Sequence, residues 1–300
     1  TVEDMIPDED MVITFSHEGY VKRTSLDEYR TQSRGGVGAK GVQTKDDDFN
    51  EHLFIASTHN YLLIFTEFGK VFWKKVWEIP EGSKVSKGRA VQNLINIESG
   101  DTIRSVININ NLSDEDYLNN NYLVMCTEGG TVKKTKLEAY SRPRVNGINA
   151  ITIKENDRLL DVKLTNGDNQ IIIAKKSGKA INFHESNVRP MGRTASGVRG
   201  VKLENEDDRV IGMICVSRED SDLLVVSKNG YGKRSSINDY RITKRGGKGV
   251  MTLKITEKTG NLVSIKEVKT NDQLMIINKS GITIRTSITD ENIRVMGRAT

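Results

Sequence analysis

The chain has 300 residues, of which 36% are hydrophobic and 28% are charged, and its formal net charge is +5. This apolar content supports a sizeable core and excludes wholesale disorder. No apolar run approaches the roughly 18 residues of a membrane-spanning helix, and two cysteines exclude a disulfide-rich secreted scaffold. The sequence starts at Thr1 with neither an initiator Met nor a signal-peptide pattern, so we expect a fragment of a longer protein.

A short apolar run, a turn with Gly and a second strand-like run recur six times along the chain. The turn glycines are separated by 50, 61, 48, 52 and 51 residues. Such a glycine supplies the positive φ of a tight turn, and its β-branched and apolar neighbours favour strands, so each copy predicts a β-hairpin. The turn glycines are Gly19, Gly69, Gly130, Gly178, Gly230 and Gly281.

A second glycine and another apolar stretch follow most hairpins, which gives about four short strands per repeat. Six such repeats predict an all-β, six-bladed fold of the β-propeller type, a single domain over residues 1–300. The last blade is expected to be truncated, because its pattern stops at Thr300. The best helical candidate is 66–79, the second glycines are Gly41, Gly88, Gly147, Gly200 and Gly249, and the approximate repeats are 11–51, 52–109, 122–164, 170–216, 223–265 and 274–300.

Basic residues follow each hairpin turn, whereas the connectors, such as 46–48 and 204–208, are acidic. Because equal repeat positions map to the same side of a ring, we expect a positive belt around its perimeter. Regularly spaced cations neutralise phosphates without reading bases, so the belt predicts binding of bent duplex DNA; RNA is less favoured because stacking aromatics are scarce. The candidate rim residues are Lys22, Arg23, Lys40, Lys74, Lys75, Lys133, Lys134, Arg142, Arg144, Arg189, Arg193, Arg199, Lys233, Arg234, Lys244, Arg245 and Lys248.

The sequence predicts no catalytic, cofactor or metal site. Residues 36–41 match G-x-G-x-x-G, but no strand precedes them and no helix follows, as a dinucleotide site requires. There is no P-loop motif, and the histidines and cysteines lack metal-ligand spacing. The three aspartates at 46–48 are interpreted as a solvated acidic loop in preference to a cation site. No nucleophile–base pattern stands in the required context.

Two glycine-rich loops occupy the same register in the first and fifth repeats. Residues 29–38 parallel 240–249, and Gly35 and Gly246 each lie 16 residues after their hairpin glycine. An Arg-Gly-Gly-x-Gly loop lets the backbone approach a phosphate while the arginine reaches it. The alternative is a bare tight turn.

The segment Gln32-Ser33-Arg34-Gly35-Gly36-Val37-Gly38 resembles the gyrase-A box, whose usual form is Gln-Arg-Arg-Gly-Gly-Lys-Gly. The resemblance extends over essentially the whole chain and points to the C-terminal domains of bacterial DNA gyrase A subunits. It implies a six-bladed β-pinwheel whose neighbouring blades exchange strands. It also implies a non-catalytic module that wraps DNA around its rim and biases strand passage toward negative supercoiling.

The resemblance further implies three partners in a cytoplasmic A2B2 holoenzyme: double-stranded DNA, the gyrase B subunit, and the cleavage core that belongs to the same polypeptide. ATP and Mg would act in other parts of that enzyme. Ser33 and Val37 replace two cations of the usual box, so we expect Arg34 to carry more of the DNA contact, with help from Lys40. This gives the hypothesis that Arg34→Ala weakens wrapping more than Lys133→Ala.

Two other interpretations remain open at this stage. The C-terminal domain of the topoisomerase IV A subunit binds DNA with weaker wrapping, and the altered box is compatible with it. A protein-binding propeller would instead carry an apolar patch on one face of the ring. A steep loss of binding with salt distinguishes phosphate contacts from such an apolar interface.

Overall fold

The computed structural model describes residues 1–30, 48–277, 283–287, 296 and 298. In these residues the helices are α1 (Asp27–Arg30) and α2 (Glu115–Asn120) and 3₁₀ turns at Glu3–Met5, Val76–Glu78, Val91–Asn93, Leu137–Tyr140, Glu185–Asn187 and Ile237–Asp239. The strands in chain order are β1 (Asp10–Ser16), β2 (Tyr20–Ser25), β3 (Asn50–Ser57), β4 (Tyr61–Thr66), β5 (Lys70–Lys75), β6 (Arg89–Ala90), β7 (Ile103–Ile109), β8 (Tyr122–Thr127), β9 (Thr131–Lys136), β10 (Ile148–Asn149), β11 (Leu159–Thr165), β12 (Gln170–Lys175), β13 (Lys179–His184), β14 (Val198–Arg199), β15 (Val210–Cys215), β16 (Asp222–Ser227), β17 (Gly232–Ser236), β18 (Val250–Met251), β19 (Leu262–Val268), β20 (Gln273–Ile277) and β21 (Thr283–Ser287).

The described strands form five antiparallel sheets, the blades, and one separate hairpin. Four blades have the orders β3-β1-β2-β6, β10-β5-β4-β7, β11-β8-β9-β14 and β15-β12-β13-β18. The fifth blade has the order β17-β16-β19, and β20 pairs with β21. The all-β fold is therefore confirmed with five blades, and a sixth complete blade stays a prediction.

The last strand of each four-stranded blade comes from the next repeat. β6, for example, pairs Ala90 with Tyr20 and Arg89 with Val21 on the first blade. β10, β14 and β18 join the second, third and fourth blades in the same way. Neighbouring blades are thus linked by exchanged strands, as the resemblance implied.

The arrangement of the blades defines an inner and an outer edge. β3, β7, β11, β15 and β19 adjoin one another in chain order, so they lie innermost. The exchanged strands lie at the opposite edge of each sheet. The segments that lead into the exchanged strands therefore run along the perimeter.

The core consists of apolar clusters between successive blades. One cluster joins Phe65 and Trp73 of the second blade to Leu123 and Met125 of the third. Each such buried side chain contributes roughly 1.5–3 kcal/mol. The helix expected over 66–79 is wrong, because these residues form a hairpin and a 3₁₀ turn, and Trp73 packs into the core from strand β5.

A glycine with positive φ precedes each exchanged strand. A Cβ on Gly249 (φ +81°) would lie 2.5 Å from the carbonyl oxygen of Ala180, so only glycine allows this strand to approach the blade. Gly88, Gly147 and Gly197 hold the same position in their repeats. The fourth-repeat expectation, Gly200, is wrong by three residues, because Gly200 follows β14 and Gly197 precedes it.

Candidate nucleic-acid interface

Four segments between a 3₁₀ turn and an exchanged strand form the outer edge of the described structure. We call residues 79–88, 141–147, 188–197 and 240–249 the perimeter loops. Each loop leaves its own repeat and lies along the outer hairpin strand of the preceding blade. Backbone hydrogen bonds from Gly82 to Arg23 (3.0 Å), from Met191 to Lys134 (2.8 Å) and from Thr243 to Asn182 (2.8 Å) hold three of them there.

The perimeter loops are strongly basic. The last three contain no acidic residue, and the first contains only Glu81. Because the loops share one register in their repeats, their cations recur along one edge of the molecule. Of the predicted rim residues, the exposed ones in these loops and their exchanged strands are Arg142, Arg144, Arg189, Arg199, Lys244 and Lys248.

Two predicted arginines brace neighbouring loop backbone. Arg193 donates from its guanidinium to the carbonyl of Asn149. Arg245 donates to the carbonyls of Asn187 (3.0 Å) and Arg199 (3.1 Å). Both remain partly exposed, so each combines a structural bond with a guanidinium at the surface.

Five predicted rim residues are buried in the hairpin strands, which corrects the expected belt. Lys22, Lys133, Lys134, Lys233 and Arg234 are between 0% and 5% exposed. The ammonium of Lys134 donates to the carbonyl of Glu185 (3.0 Å), and the guanidinium of Arg234 donates to Thr270 Oγ1 (3.0 Å). Such groups cannot touch a phosphate without opening the blade, so they leave the candidate interface.

The remaining hairpin cations are partly buried and paired. Arg23 donates from Nε to the carbonyl of Ile79 (2.7 Å). Lys74 lies 3.5 Å from Glu78, and Lys75 lies 2.9 Å from Glu3 and over the Tyr61 ring. The positive perimeter is therefore formed by the loops and not by the hairpins that the sequence pattern favoured.

The loops also carry cations that the sequence reasoning missed. Arg89 and Arg241 are exposed, and Lys84 and Lys87 lie over the rings of Tyr29 (4.7 Å) and Tyr20 (3.8 Å). Their common position before or within an exchanged strand is the signal that would have found them. The predicted box 32–38 and Lys40 lie outside the described residues.

The glycines of 246–249 serve the fold in different ways. Gly246 (φ +92°) donates its N–H to the carbonyl of Gly200 at 2.7 Å, and Gly249 is required by strand packing. A Cβ on Gly247 would meet nothing closer than Ile181 Cδ1 at 3.7 Å. Internal packing accounts for two of these three glycines and leaves Gly247 unconstrained.

A second charged region lies where the hairpin turns meet the segments before the inner strands; we call it the hairpin-turn face. In four blades an aspartate Oδ1 there accepts the N–H of a hairpin-turn residue and that of its own successor. Asp48 accepts from Glu18 and Phe49, both at 2.9 Å. The equivalents are Asp101, Asp157 and Asp208. Asp48 is 1% exposed, so the solvated loop expected at 46–48 is wrong for this residue.

Comparisons with known proteins give the same assignment for the whole chain. The family model for the DNA gyrase C-terminal domain, beta-propeller, matches residues 10–57, 60–110, 121–166, 171–217, 221–269 and 272–300. The DNA gyrase A subunit of Staphylococcus epidermidis is 43% identical over 298 residues, which cover 99% of this chain and 33% of that protein. The DNA gyrase A subunit of Staphylococcus aureus is also 43% identical with the same coverage.

The chain therefore belongs to the DNA gyrase C-terminal domain family. It is an accessory domain of a type IIA topoisomerase and not its catalytic core. The chain spans about a third of the length of the curated relatives it matches.

Solved structures show the same fold. A gyrase A C-terminal domain matches with a TM-score of 0.78 and 26% identity, covering 97% of this chain and 92% of the other. A topoisomerase IV C-terminal domain matches with a TM-score of 0.78 and 27% identity, covering 98% of this chain and 88% of the other. Structural likeness alone therefore does not separate the two families.

Two other kinds of site are absent from the part of the chain that the structure describes. Residues 1–30, 48–277 and the short described segments beyond them contain no group of three or more His, Cys, Asp or Glu placed to hold a metal ion. No helix in the same residues is long and apolar enough to cross a membrane.

Proposed function

We propose that this gyrase-family domain binds duplex DNA along its perimeter loops and wraps it around the blades. The observation that carries the proposal is the register of the loops, which places exposed Arg and Lys at the same outer position in successive blades. Three of these loops have no acidic residue to repel a phosphate. In the intact enzyme, we propose that the wrap presents a DNA segment for passage and biases the reaction toward negative supercoiling.

The physics of wrapping requires contacts spread over several blades. Bending a duplex around so small a body costs several kcal/mol, up to about 10. Each neutralised phosphate releases counterions and offsets part of that cost. Loops in successive blades can share the load, and sequence preference then follows from DNA bendability and not from base contacts.

The finer features of the proposal follow the family resemblance. They are a single domain over 1–300 with the six repeats given above, a sixth blade completing the pinwheel, and the box 32–38 with Lys40 acting on the same DNA path. The proposed partners are the gyrase B subunit and the cleavage core of the same polypeptide, in the cytoplasm. We propose that ATP and Mg are used by those parts and that this chain needs no cofactor of its own.

Topoisomerase IV is the second candidate, supported by the structural match to one of its C-terminal domains. The full-length sequence matches at 43% identity are to proteins named as DNA gyrase A subunits, and this favours the gyrase interpretation. The two functions differ in one measurable property, because a gyrase domain wraps DNA with a fixed handedness.

A ligation-topology assay tests the proposal. Nicked circular DNA is sealed with and without the chain, stripped of protein and separated by gel electrophoresis. A change in linking number that grows with protein supports chiral wrapping. Binding without that change favours the topoisomerase IV interpretation, and absence of binding at low salt refutes DNA binding.

A further inference from the structure

Lysines at one register of the outer hairpin strand point into the perimeter loop of the next repeat. These are Lys22, Lys133 and Lys233 of the first, third and fifth blades, and their exposure is 2%, 0% and 5%. Each lies three residues after the turn glycine of its hairpin. They are buried residues that the rim prediction had assigned to DNA.

Lys22 shows the arrangement most fully. Its ammonium donates to the carbonyl oxygens of Ser83 (2.9 Å), Lys84 (2.8 Å) and Ser86 (2.6 Å). All three acceptors belong to the perimeter loop 79–88. An ammonium has three N–H donors, so this one site uses its full capacity to fix the loop backbone.

The other two lysines make the same kind of bond. Lys133 donates to the carbonyls of Arg193, in loop 188–197, and of Ala150, and to the Tyr140 hydroxyl at 3.2 Å. Lys233 donates to the carbonyl of Arg298 in the sixth repeat. In every case the next repeat supplies an acceptor, and that acceptor lies beside or within a basic segment.

The second and fourth blades replace the lysine with an apolar residue. Phe72 packs so closely on loop 141–147 that a Cβ on Gly147 would lie 2.7 Å from its ring. Ile181 lies under Gly247 in loop 240–249. The blades therefore alternate between a charged anchor and an apolar anchor for the loop that follows.

We propose that Lys22, Lys133 and Lys233 are positioning residues for DNA binding, holding the loop backbone so that the loop cations face the phosphates. This inference rests on the proposed function and adds a role for cations that never touch DNA. Arg193 illustrates the mechanism: Lys133 fixes its carbonyl, while its guanidinium is directed away to the carbonyl of Asn149 and the surface.

A double-mutant cycle tests this relation. Lys133→Met removes the ammonium and keeps a long unbranched side chain, and Arg189→Gln removes an exposed cation from the loop that Lys133 anchors. Binding to linear duplex DNA is measured over a range of salt concentrations at a temperature where all variants are folded. Arg189→Gln alone is expected to lower the slope of log K against log salt by about 0.9.

The expected result is strong non-additivity. In the Lys133→Met chain, Arg189→Gln should weaken binding by less than twofold, because the loop no longer presents that cation. The control is Lys244→Gln in loop 240–249, which Ile181 anchors; it should weaken binding equally in both backgrounds. Equal effects of Arg189→Gln in both backgrounds would overturn the anchoring proposal.

Hydrogen exchange without DNA provides an independent readout. Lys133→Met should speed exchange in loop 188–197 and leave loop 240–249 unchanged; equal protection in both chains contradicts anchoring. If Lys133→Met does not fold, Lys22→Met with Arg89→Gln repeats the cycle at loop 79–88. If the parent chain binds no DNA at low salt, the proposed function fails as well, whereas steep salt dependence with an additive cycle removes only the anchoring role.

Discussion

The perimeter loops and the hairpin-turn face use charge in opposite directions. In the loops, Arg144, Arg189 and Lys244 are exposed and directed to solvent. On the hairpin-turn face, Asp208 turns inward and accepts the N–H groups of Ser177 and Arg209, both at 3.0 Å. The fifth blade has Gly260 at that position, and the carbonyl of Thr259 accepts the N–H of Asn229 (3.0 Å) instead.

The difference shows what a charged residue costs and contributes at each site. A buried carboxylate that satisfies backbone donors contributes to folding, because removing it leaves those donors without acceptors. An exposed cation contributes little to folding and remains available to a ligand. Charge in the loops is therefore assigned to function, and the recurrent aspartates are assigned to turn geometry.

The largest expected effect comes from removing one cation from each of three loops. Arg144→Gln, Arg189→Gln and Lys244→Gln together should weaken DNA binding roughly 100-fold or more near 0.1 M salt and lower the salt slope by about 2.7, as three phosphate contacts require. The unfolding free energy should change by less than about 0.5 kcal/mol per site. Fluorescence anisotropy over a salt series measures the first two quantities.

The matched control removes three exposed cations from the hairpin-turn face. Lys154→Gln, Lys228→Gln and Lys254→Gln change the net charge by the same amount. If net charge alone governs binding, both triple variants lose the same affinity, and the proposed DNA path along the perimeter is wrong.

The next effect concerns stability. Asp208→Ala should lower the unfolding free energy by about 1–3 kcal/mol, because Asp208 also accepts from Ser177 Oγ (2.8 Å) and from the N–H of Glu204 (2.9 Å). Asp207→Ala, at the exposed neighbour, should stay within about 0.5 kcal/mol of the parent. Denaturant unfolding measures both, and similar losses would contradict the structural role of the inward carboxylate.

A pH series sharpens the difference between buried and exposed cations. Burial, aided by nearby Arg193, lowers the pKa of Lys133 from 10.5 to about 7. Between these values the unfolded chain binds more protons than the folded chain, so this lysine makes unfolding less favourable as the pH rises. Lys133→Met lacks that gain.

The destabilisation caused by Lys133→Met should therefore grow by on the order of 1–2 kcal/mol between pH 7 and pH 9. Arg189→Gln, which removes an exposed cation, should show no such trend. Urea unfolding at several pH values provides the measurement, and a destabilisation that is constant over this range would contradict the lowered pKa.

The smallest expected effect concerns the box. Lys133 is buried, so Lys133→Ala changes folding and is a poor control for Arg34→Ala. Arg189→Ala is the proper comparison, because Arg189 is an exposed loop cation. In the ligation assay Arg34→Ala should reduce the change in linking number more than Arg189→Ala; equal reductions would assign no special role to the box.

Sequence reasoning predicted the repeat, the hairpins and the basic outer edge, because glycine turns and strand alternation are local properties. It misplaced the cations of that edge. Lys22 and Arg144 look alike in a sequence, and only the carbonyls of a segment some sixty residues later decide that Lys22 is buried. The exchanged strands were equally hidden, because two-residue strands such as β6 have no periodicity to detect.

The aspartates of the connectors were also misread for a physical reason. Acidic runs usually stay solvated, and nothing in the sequence around Asp48 marks it as the acceptor for a turn that lies 30 residues earlier. The recurrence of one aspartate before each inner strand was visible in four repeats. That recurrence, weighed against the exposed acids around it, would have separated turn geometry from solvation.

The exchanged strands have a mechanical consequence. A perimeter loop is fixed at one end by its own repeat and at the other by a strand inserted into the preceding blade, as β14 is on β9. A pull on DNA held by such a loop is therefore divided between two blades and loads the hydrogen bonds of both. The tension of a bent duplex spreads around the ring instead of peeling away a single hairpin.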